Sequence, residues 1–362
     1  MRPKHSDYMH WAKTRSRARF NLATSGVGPY SLRDLPVAIE QLEINGNNSY
    51  GYPPLKQAIA QKAGVDPDCV VTAAGTSMAN YLAMAALLDP GDEVLVENPV
   101  YELLVSAAQC LGAEVKFFER REECGYALDP AEVHRALTPK TRLIVVTNLH
   151  NPSSALAGEA ALREVADLAR SVGARLLVDE VCLDAVYRDT PPTAFRLGPE
   201  VVVTSSLTKV YGLSGLRCGW ILAEPGLARD MWRLNDLFGA TPVHPGELLS
   251  VAAFENLDRI REKARRVVDA DRALLNDFLD AHPEISAART GWGTTSFLGL
   301  RNGDAEPFLD GLRAEYETSA VPGRFFGMPS HFRIGMGVNT DMFREGLNRI
   351  ALAARRRIMR LE

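Results

Sequence analysis

The sequence predicts an α/β protein in which a large, mostly parallel sheet of seven strands, flanked by helices, is joined to a smaller α+β unit. Three observations predict this. Short apolar, β-branched runs alternate with helical patterns from Cys69 to Leu222. Small and polar residues follow the strand ends, where ligands of such sheets bind. Beyond about residue 245 the alternation stops, and a long charged helical run precedes shorter strand-like pieces.

Taken in order, residues 1–44 read as an N-terminal arm belonging to the smaller unit. Pro36 opens a short helix over Val37–Leu42, because proline is pre-organised for the first helical position. Asn45-Gly46-Asn47-Asn48 is a turn signal. Tyr50-Gly51-Tyr52-Pro53-Pro54 then opens a helix through Leu55, Ile59 and Ala60. The large domain occupies residues 45–244. Its strands are expected at Cys69–Thr72, Glu93–Val96, Glu114–Phe118, Arg142–Thr147, Arg175–Val178, Val201–Thr204 and Gly219–Leu222. Helices are expected at Met78–Leu88, Val100–Leu111, Pro130–Ala136 and Glu159–Val172. The C-terminal domain, residues 245–362, begins with one charged helix from Pro245 to about Ala281. Strand-like pieces follow at Ser296–Leu300 and Phe332–Met336, and a last helix starts at Asp341.

Composition narrows the function classes. The chain has 362 residues, 46% of them hydrophobic, enough for a sizeable core. A net charge of −4 provides no global basic field for nucleic acid. The five cysteines (69, 110, 124, 182 and 218) form no CxxC pair, which points to a reduced, cytoplasmic protein rather than a disulfide framework. No apolar run is long enough to span a membrane, and the stretch around His5 and Asp7 lacks the apolar core of a secretory signal. No GxGxxG or Walker pattern follows the first strand of the sheet, so a nucleotide-binding enzyme is not expected.

The chemistry gathers at five strand ends. Val201-Val202-Val203 leads into Ser205-Ser206-Leu207-Thr208-Lys209, a glycine-punctuated loop and Arg217. A lysine amine there can form a Schiff base with a carbonyl, and Ser206 and Arg217 suit a phosphate. Gly75-Thr76-Ser77 opens a helix, whose N-terminal N–H groups also bind phosphate. Asp179 ends an apolar strand and needs a paired or hydrogen-bonded partner, which a pyridinium nitrogen or a helix N-cap would supply. Tyr101 can stack on a flat ring. Asn151-Pro152, alone, is a turn.

In order and spacing, over nearly the whole chain, these residues resemble the fold-type I pyridoxal-phosphate (PLP) enzymes of the class I/II aminotransferase family. The lysine segment Ser206-Leu207-Thr208-Lys209-Val210-Tyr211-Gly212-Leu213-Ser214-Gly215-Leu216-Arg217-Cys218-Gly219-Trp220 carries the likeness most specifically. The resemblance implies the PLP-transferase fold with PLP as cofactor, and a homodimer with shared active sites. It implies that Lys209 carries the cofactor as a Schiff base and then moves the Cα proton. Asp179 would pair with the ring nitrogen and Asn151 would bond the ring oxygen O3′. Tyr101 would stack on the ring, while Gly75, Thr76, Ser77, Ser206 and Arg217 would form the phosphate cup. Arg333 would grip the substrate α-carboxylate, a bidentate role that favours arginine. Gly26 would contact substrate through its backbone, and Tyr50, or alternatively Tyr52, would reach the partner's phosphate.

Two departures matter. Where the family commonly has a tyrosine that donates to O3′, this chain has Cys182, a weaker donor. The family's Asn-Pro-Thr-Gly appears as Asn151-Pro152-Ser153-Ser154. The expected function is transfer of the amino group of an L-amino acid to a 2-oxo acid. A PLP-dependent β/γ-lyase or side-chain cyclase is the alternative on the same residues. A non-catalytic regulator would need an appended DNA-binding module, for which the first 44 residues leave little room. No residue identifies the substrate side chain.

Overall fold

The computed structural model describes residues 4–46, 50–301 and 303–358. Helix α1 (Asp7–Thr14) is capped by the Ser6 hydroxyl, and strand β1 (Phe20–Asn21) follows it. The segment after Pro36 forms only a single 3₁₀ turn, Ile39–Gln41, rather than a helix. Of the turn at residues 45–48, Asn47 and Asn48 lie outside the described residues. Helix α2 (Pro53–Ala63) starts at the expected prolines and ends at a left-handed Gly64.

The main sheet comprises β2 (Val70–Ala74), β3 (Glu93–Asn98), β4 (Glu114–Glu119), β5 (Thr141–Thr147), β6 (Arg175–Asp179), β7 (Val201–Ser206) and β8 (Cys218–Leu222). Their spatial order is β2-β8-β7-β6-β5-β3-β4. Pairing is parallel from β7 through β4, and β8 is antiparallel to both β7 and β2. Helices α3 (Thr76–Leu87), α4 (Glu102–Leu111), α5 (Pro130–Ala136) and α6 (Glu159–Ser171) connect the strands. The continuous apolar runs follow from this layering. Leu95, Ile144, Val146, Leu176, Val178 and Val203 face one hydrophobic core. Their neighbours Val94, Val96, Val145, Leu177 and Val202 face another, so both faces of the sheet are covered.

Helix α7 (Pro225–Asn235), capped by the Glu224 carboxylate, follows β8. The charged run expected as one helix is two, α8 (His244–Phe254) and α9 (Leu257–Ala281), with a break at Glu255–Asn256. Strands β9 (Ile285–Ala287) and β10 (Thr295–Leu300) come next, then α10 (Glu306–Tyr316), β11 (Thr318–Ser319), β12 (Val321–Pro322), β13 (His331–Gly335) and α11 (Thr340–Ile358). The second sheet has the order β12-β13-β10-β9. β1 pairs in parallel with β11, and Leu22 accepts from the Gly335 N–H at 2.8 Å, so the N-terminal arm packs with the C-terminal elements. No described helix is long and apolar enough to cross a membrane.

Candidate active site

Lys209 leaves the sheet three residues beyond the last residue of β7. Its backbone carbonyl accepts from the Val27 N–H at 2.9 Å, which lays the N-terminal arm against the lysine loop. A Cβ on Gly26 would sit 3.0 Å from that carbonyl oxygen and 3.1 Å from the Lys209 Cα, so the close approach depends on glycine. The Lys209 amine donates to the Ser25 hydroxyl at 2.8 Å, and Ser25 in turn accepts at its carbonyl from the Thr294 hydroxyl at 3.0 Å.

Asp179 is buried at the carboxyl end of β6. Its Oδ2 accepts from Asn80 Nδ2 at 2.8 Å and its Oδ1 from the Val181 N–H at 3.0 Å. The Asn80 carbonyl is oriented by the Thr204 hydroxyl, which donates to it. Burial pushes the Asp179 carboxyl up to about 6, although the Asn80 and Val181 donors and the Lys209 charge pull the other way. A cation brought to Asp179 would therefore be held strongly.

The N-terminus of α3 is left open for an anion. Its N-cap is Gly75, with no side-chain cap, so the first N–H groups of the helix have no intrahelical partner. The Thr76 hydroxyl is buried without a partner among the described residues. Gly75 has φ +79°, and a Cβ there would lie 2.2 Å from Arg217 Nη2, which donates to the Ala74 carbonyl at 2.9 Å. An orphaned hydroxyl, an uncapped helix start and a guanidinium fit a phosphate. With Asp179 and Lys209 on the same cavity wall, the residues present fit PLP.

Arg333, in the middle of β13, is fully buried. Its Nη1 donates to Asn151 Oδ1 at 2.8 Å and its Nη2 to the Tyr8 hydroxyl at 3.0 Å, while Nε has no partner among the described residues. Neither partner carries a full charge to balance the guanidinium, which leaves it able to take a carboxylate. Burial favours the neutral Tyr8 phenol, but the charges of Arg333 and Lys209 outweigh it and hold its pKa below the ordinary value. Tyr8 also meets Tyr101 edge-on, with ring centroids 5.3 Å apart.

A cavity of about 540 Å³ joins these groups. Of the residues expected from sequence, Gly26, Thr76, Ser77, Tyr101, Asn151, Asp179, Cys182, Lys209 and Arg217 line it. Gly75 lies directly behind the cup, and Arg333 stands behind Tyr8 and Asn151. Ser206 is buried at the end of β7, where its hydroxyl accepts from the Thr208 N–H at 3.2 Å. Tyr50 is exposed and its hydroxyl lies 3.4 Å from Asp236, away from this cavity. Burial pushes the Cys182 thiol up to about 11, so it stays protonated near neutral pH.

Sequence reasoning missed Tyr8, Ser25, Asn80 and Thr147, which also line the cavity. It put Ser154 at the glycine of the Asn151 turn but did not show how a serine is held there. Ser154 adopts that left-handed conformation, with φ +64°. Its hydroxyl donates to the Thr295 carbonyl at 2.9 Å and lies 3.0 Å from the Thr295 hydroxyl, while its own carbonyl accepts from Trp292 Nε1 at 3.1 Å.

Comparison with known proteins agrees with this geometry. The family model described as aminotransferase class I and II matches residues 27–350. Capreomycidine synthase of Streptomyces vinaceus is 31% identical, covering 94% of this chain and 91% of the synthase. An arginine–pyruvate transaminase of Pseudomonas aeruginosa is 28% identical over 89% of this chain and 87% of its own. Among solved structures, a PLP-dependent aminotransferase from Streptococcus suis superposes with a TM-score of 0.91 at 25% identity, over 98% of both chains. A PLP-dependent cyclase, OrfR, superposes with a TM-score of 0.87 at 26% identity, over 99% of both chains.

Proposed function

From its membership of the class I and II aminotransferases, a PLP-dependent family, we propose that this chain moves the amino group of an L-amino acid to a 2-oxo acid. The observation that carries this reading is the gathering of Lys209, Asp179, Asn151 and the open start of α3 around one cavity, with the unpaired Arg333 behind it. When bound, PLP supplies the electron sink that makes the Cα proton acidic. The chain supplies the rest. Thr76, Ser77 and Arg217 hold the phosphate, Asp179 holds a proton on the ring nitrogen, and Tyr101 covers the ring. Arg333 orients the carboxylate, and the Lys209 amine takes the proton from Cα and returns it.

A side-chain cyclisation is the second reading. It is favoured by the likeness to capreomycidine synthase and to a PLP-dependent cyclase, and by Cys182 at the position of the family's phenol. A screen of L-amino acids against the PLP-loaded protein, read by visible absorbance, separates the two. Amino-acid-dependent bleaching that pyruvate or 2-oxoglutarate reverses establishes transamination. Amino acid consumed without a 2-oxo acid requirement, giving a product of unchanged amine count, establishes cyclisation. No response to any amino acid would overturn both.

Cys182→Tyr is expected to lower the pKa of the visible band of the loaded protein by roughly one to two units, as a phenol donating to the ring oxygen stabilises its anion. The buried thiol, with its raised pKa, is a poor substitute. A pH titration of both proteins checks this, and an unchanged or raised pKa would show that another donor already serves.

The reading includes a homodimer. Tyr50 is exposed, whereas Tyr52 packs edge-on against His244 with centroids 5.0 Å apart and donates its N–H to Glu247, which supports Tyr50 as the residue that reaches the second copy. Sedimentation at micromolar concentration is expected to give a dimer, and a fully active monomer would remove this part of the reading.

A further inference from the structure

Behind the Asn151 turn, away from the cavity, lies an ion pair that the reaction does not use directly. Glu97, near the end of β3, and Arg120, just beyond β4, are both fully buried and meet at 2.7 Å. Arg120 is fixed from a second side by its Nε, which donates to the Tyr126 carbonyl at 2.8 Å. The other Glu97 oxygen, Oε1, accepts from the Thr147 N–H at 2.8 Å and from the Thr147 hydroxyl at 2.5 Å. Thr147 is the last residue of β5.

A hydroxyl has one hydrogen to give. A carboxylate only accepts, so Glu97 takes the Thr147 hydrogen and leaves that oxygen free to accept. The donor it meets is the Asn151 N–H, at 2.9 Å. The Asn151 side chain then presents Oδ1 to Arg333 Nη1, and Arg333 Nη2 reaches Tyr8. Every hydrogen bond linking Arg120, Glu97, Thr147, Asn151 and Arg333 in turn therefore has one assigned direction. The direction originates at a charge that Arg120 keeps in place.

We infer that Glu97, backed by Arg120, is a positioning residue, which orients the Thr147 hydroxyl, through it the Asn151 turn, and so the grip of Arg333 on the carboxylate of the amino acid. The last step rests on the proposed function, while the earlier steps concern the chain alone. Replacing the acid by an amide breaks the arrangement whichever way the amide is turned. Its NH₂ then faces either the Arg120 guanidinium or the Thr147 N–H, and donor meets donor.

The test uses three variants of the PLP-loaded protein: Thr147→Val, which keeps the shape and loses the hydroxyl, Thr147→Ser, which keeps the hydroxyl, and Glu97→Gln. Two quantities are read. One is hydrogen exchange of the backbone N–H groups over residues 148–151. The other is the half-saturating concentration of L-alanine, L-aspartate and L-arginine, each titrated separately by visible absorbance. Thr147→Val is expected to speed exchange by three- to tenfold and to raise half-saturation by about tenfold, with PLP content unchanged. Thr147→Ser is expected to recover most of both losses. Unchanged exchange in Thr147→Val, or equal losses in the Ser and Val variants, would overturn the inference, the latter because only the methyl packing would then matter. Should Glu97→Gln fail to fold because Arg120 is left unbalanced, the two Thr147 variants still decide. If the wild type responds to none of the amino acids, the proposed function falls, and the exchange readout alone judges the positioning of Asn151.

Discussion

Lys209→Ala is expected to leave a folded protein with no covalent bond to PLP and with turnover reduced by more than about 10⁴-fold. A positioned proton-transfer group contributes about 10²–10⁴-fold, and in the proposed function the same amine is also the point of attachment. Lys209 is the only lysine among the described residues that line the cavity, so no neighbour stands ready to replace it. Its amine makes one side-chain hydrogen bond, to Ser25, and truncation removes little packing, so the thermal midpoint should move by only a few degrees. Borohydride reduction followed by mass measurement reads the result. A reducible protein–PLP bond surviving in the variant would place the attachment elsewhere and undo the assignment of the site.

Asp179→Ala is expected to keep PLP through the phosphate cup while turnover falls by about 10–10³-fold. One charge partner shifts a neighbouring pKa by about one to three units, each worth 1.36 kcal/mol between protonation states, and the electron sink depends on that proton. A second consequence appears without cofactor. Burial raises the folded-state pKa of Asp179 to about 6, above the value of about 3.9 for an unfolded aspartate. The penalty for ionising it is therefore absent below about pH 4, grows as pH rises, and reaches about 3 kcal/mol above pH 6. In the PLP-free protein, the alanine variant should lose this contribution. Its melting temperature relative to wild type should then climb between pH 4 and pH 7. Parallel melting profiles for the two proteins would mean that burial does not raise the Asp179 pKa, and near wild-type turnover would mean that Asp179 does not face the ring nitrogen.

Most of the sheet was legible because its inner strands are buried on both faces. A run such as Val201-Val202-Val203 has no polar side to hide, and most of the other runs read the same way, the exception being the edge strand β4, where Glu114, Lys116 and Glu119 are exposed. The reversed direction of β8 was not legible, since a fully buried strand reads alike in either direction. Helix α7 was signalled by Glu224 and Pro225 and was overlooked. The break between α8 and α9 falls at Glu255–Asn256, where no proline or glycine interrupts the pattern. In the site, residues that follow strands or open helices were found, because such positions stand out against their neighbours. Asn80 lies inside α3, Tyr8 inside a helix more than 300 residues from Arg333, and Glu97 inside an apolar strand. Their roles exist only through long-range contact, which no local pattern records.

Ser154 occupies a conformation that costs a non-glycine residue about 1–2 kcal/mol. The bond its hydroxyl donates to the Thr295 carbonyl, worth about 0.5–1.5 kcal/mol, offsets much of that. In folding terms the exchange is nearly even, so stability alone gives little reason to prefer serine to glycine. In mechanical terms the two differ. Serine adds a side-chain stitch between the loop at the end of β5 and the first residue of β10, beside the Thr295 hydroxyl's bond to the Pro152 carbonyl, and so tightens the coupling of the two sheets next to the Asn151–Arg333 contact. Any rocking of one sheet against the other must carry the Asn151 loop with it as a rigid linkage. A glycine there would keep the backbone tie to Trp292 and lose the side-chain one, leaving the linkage looser.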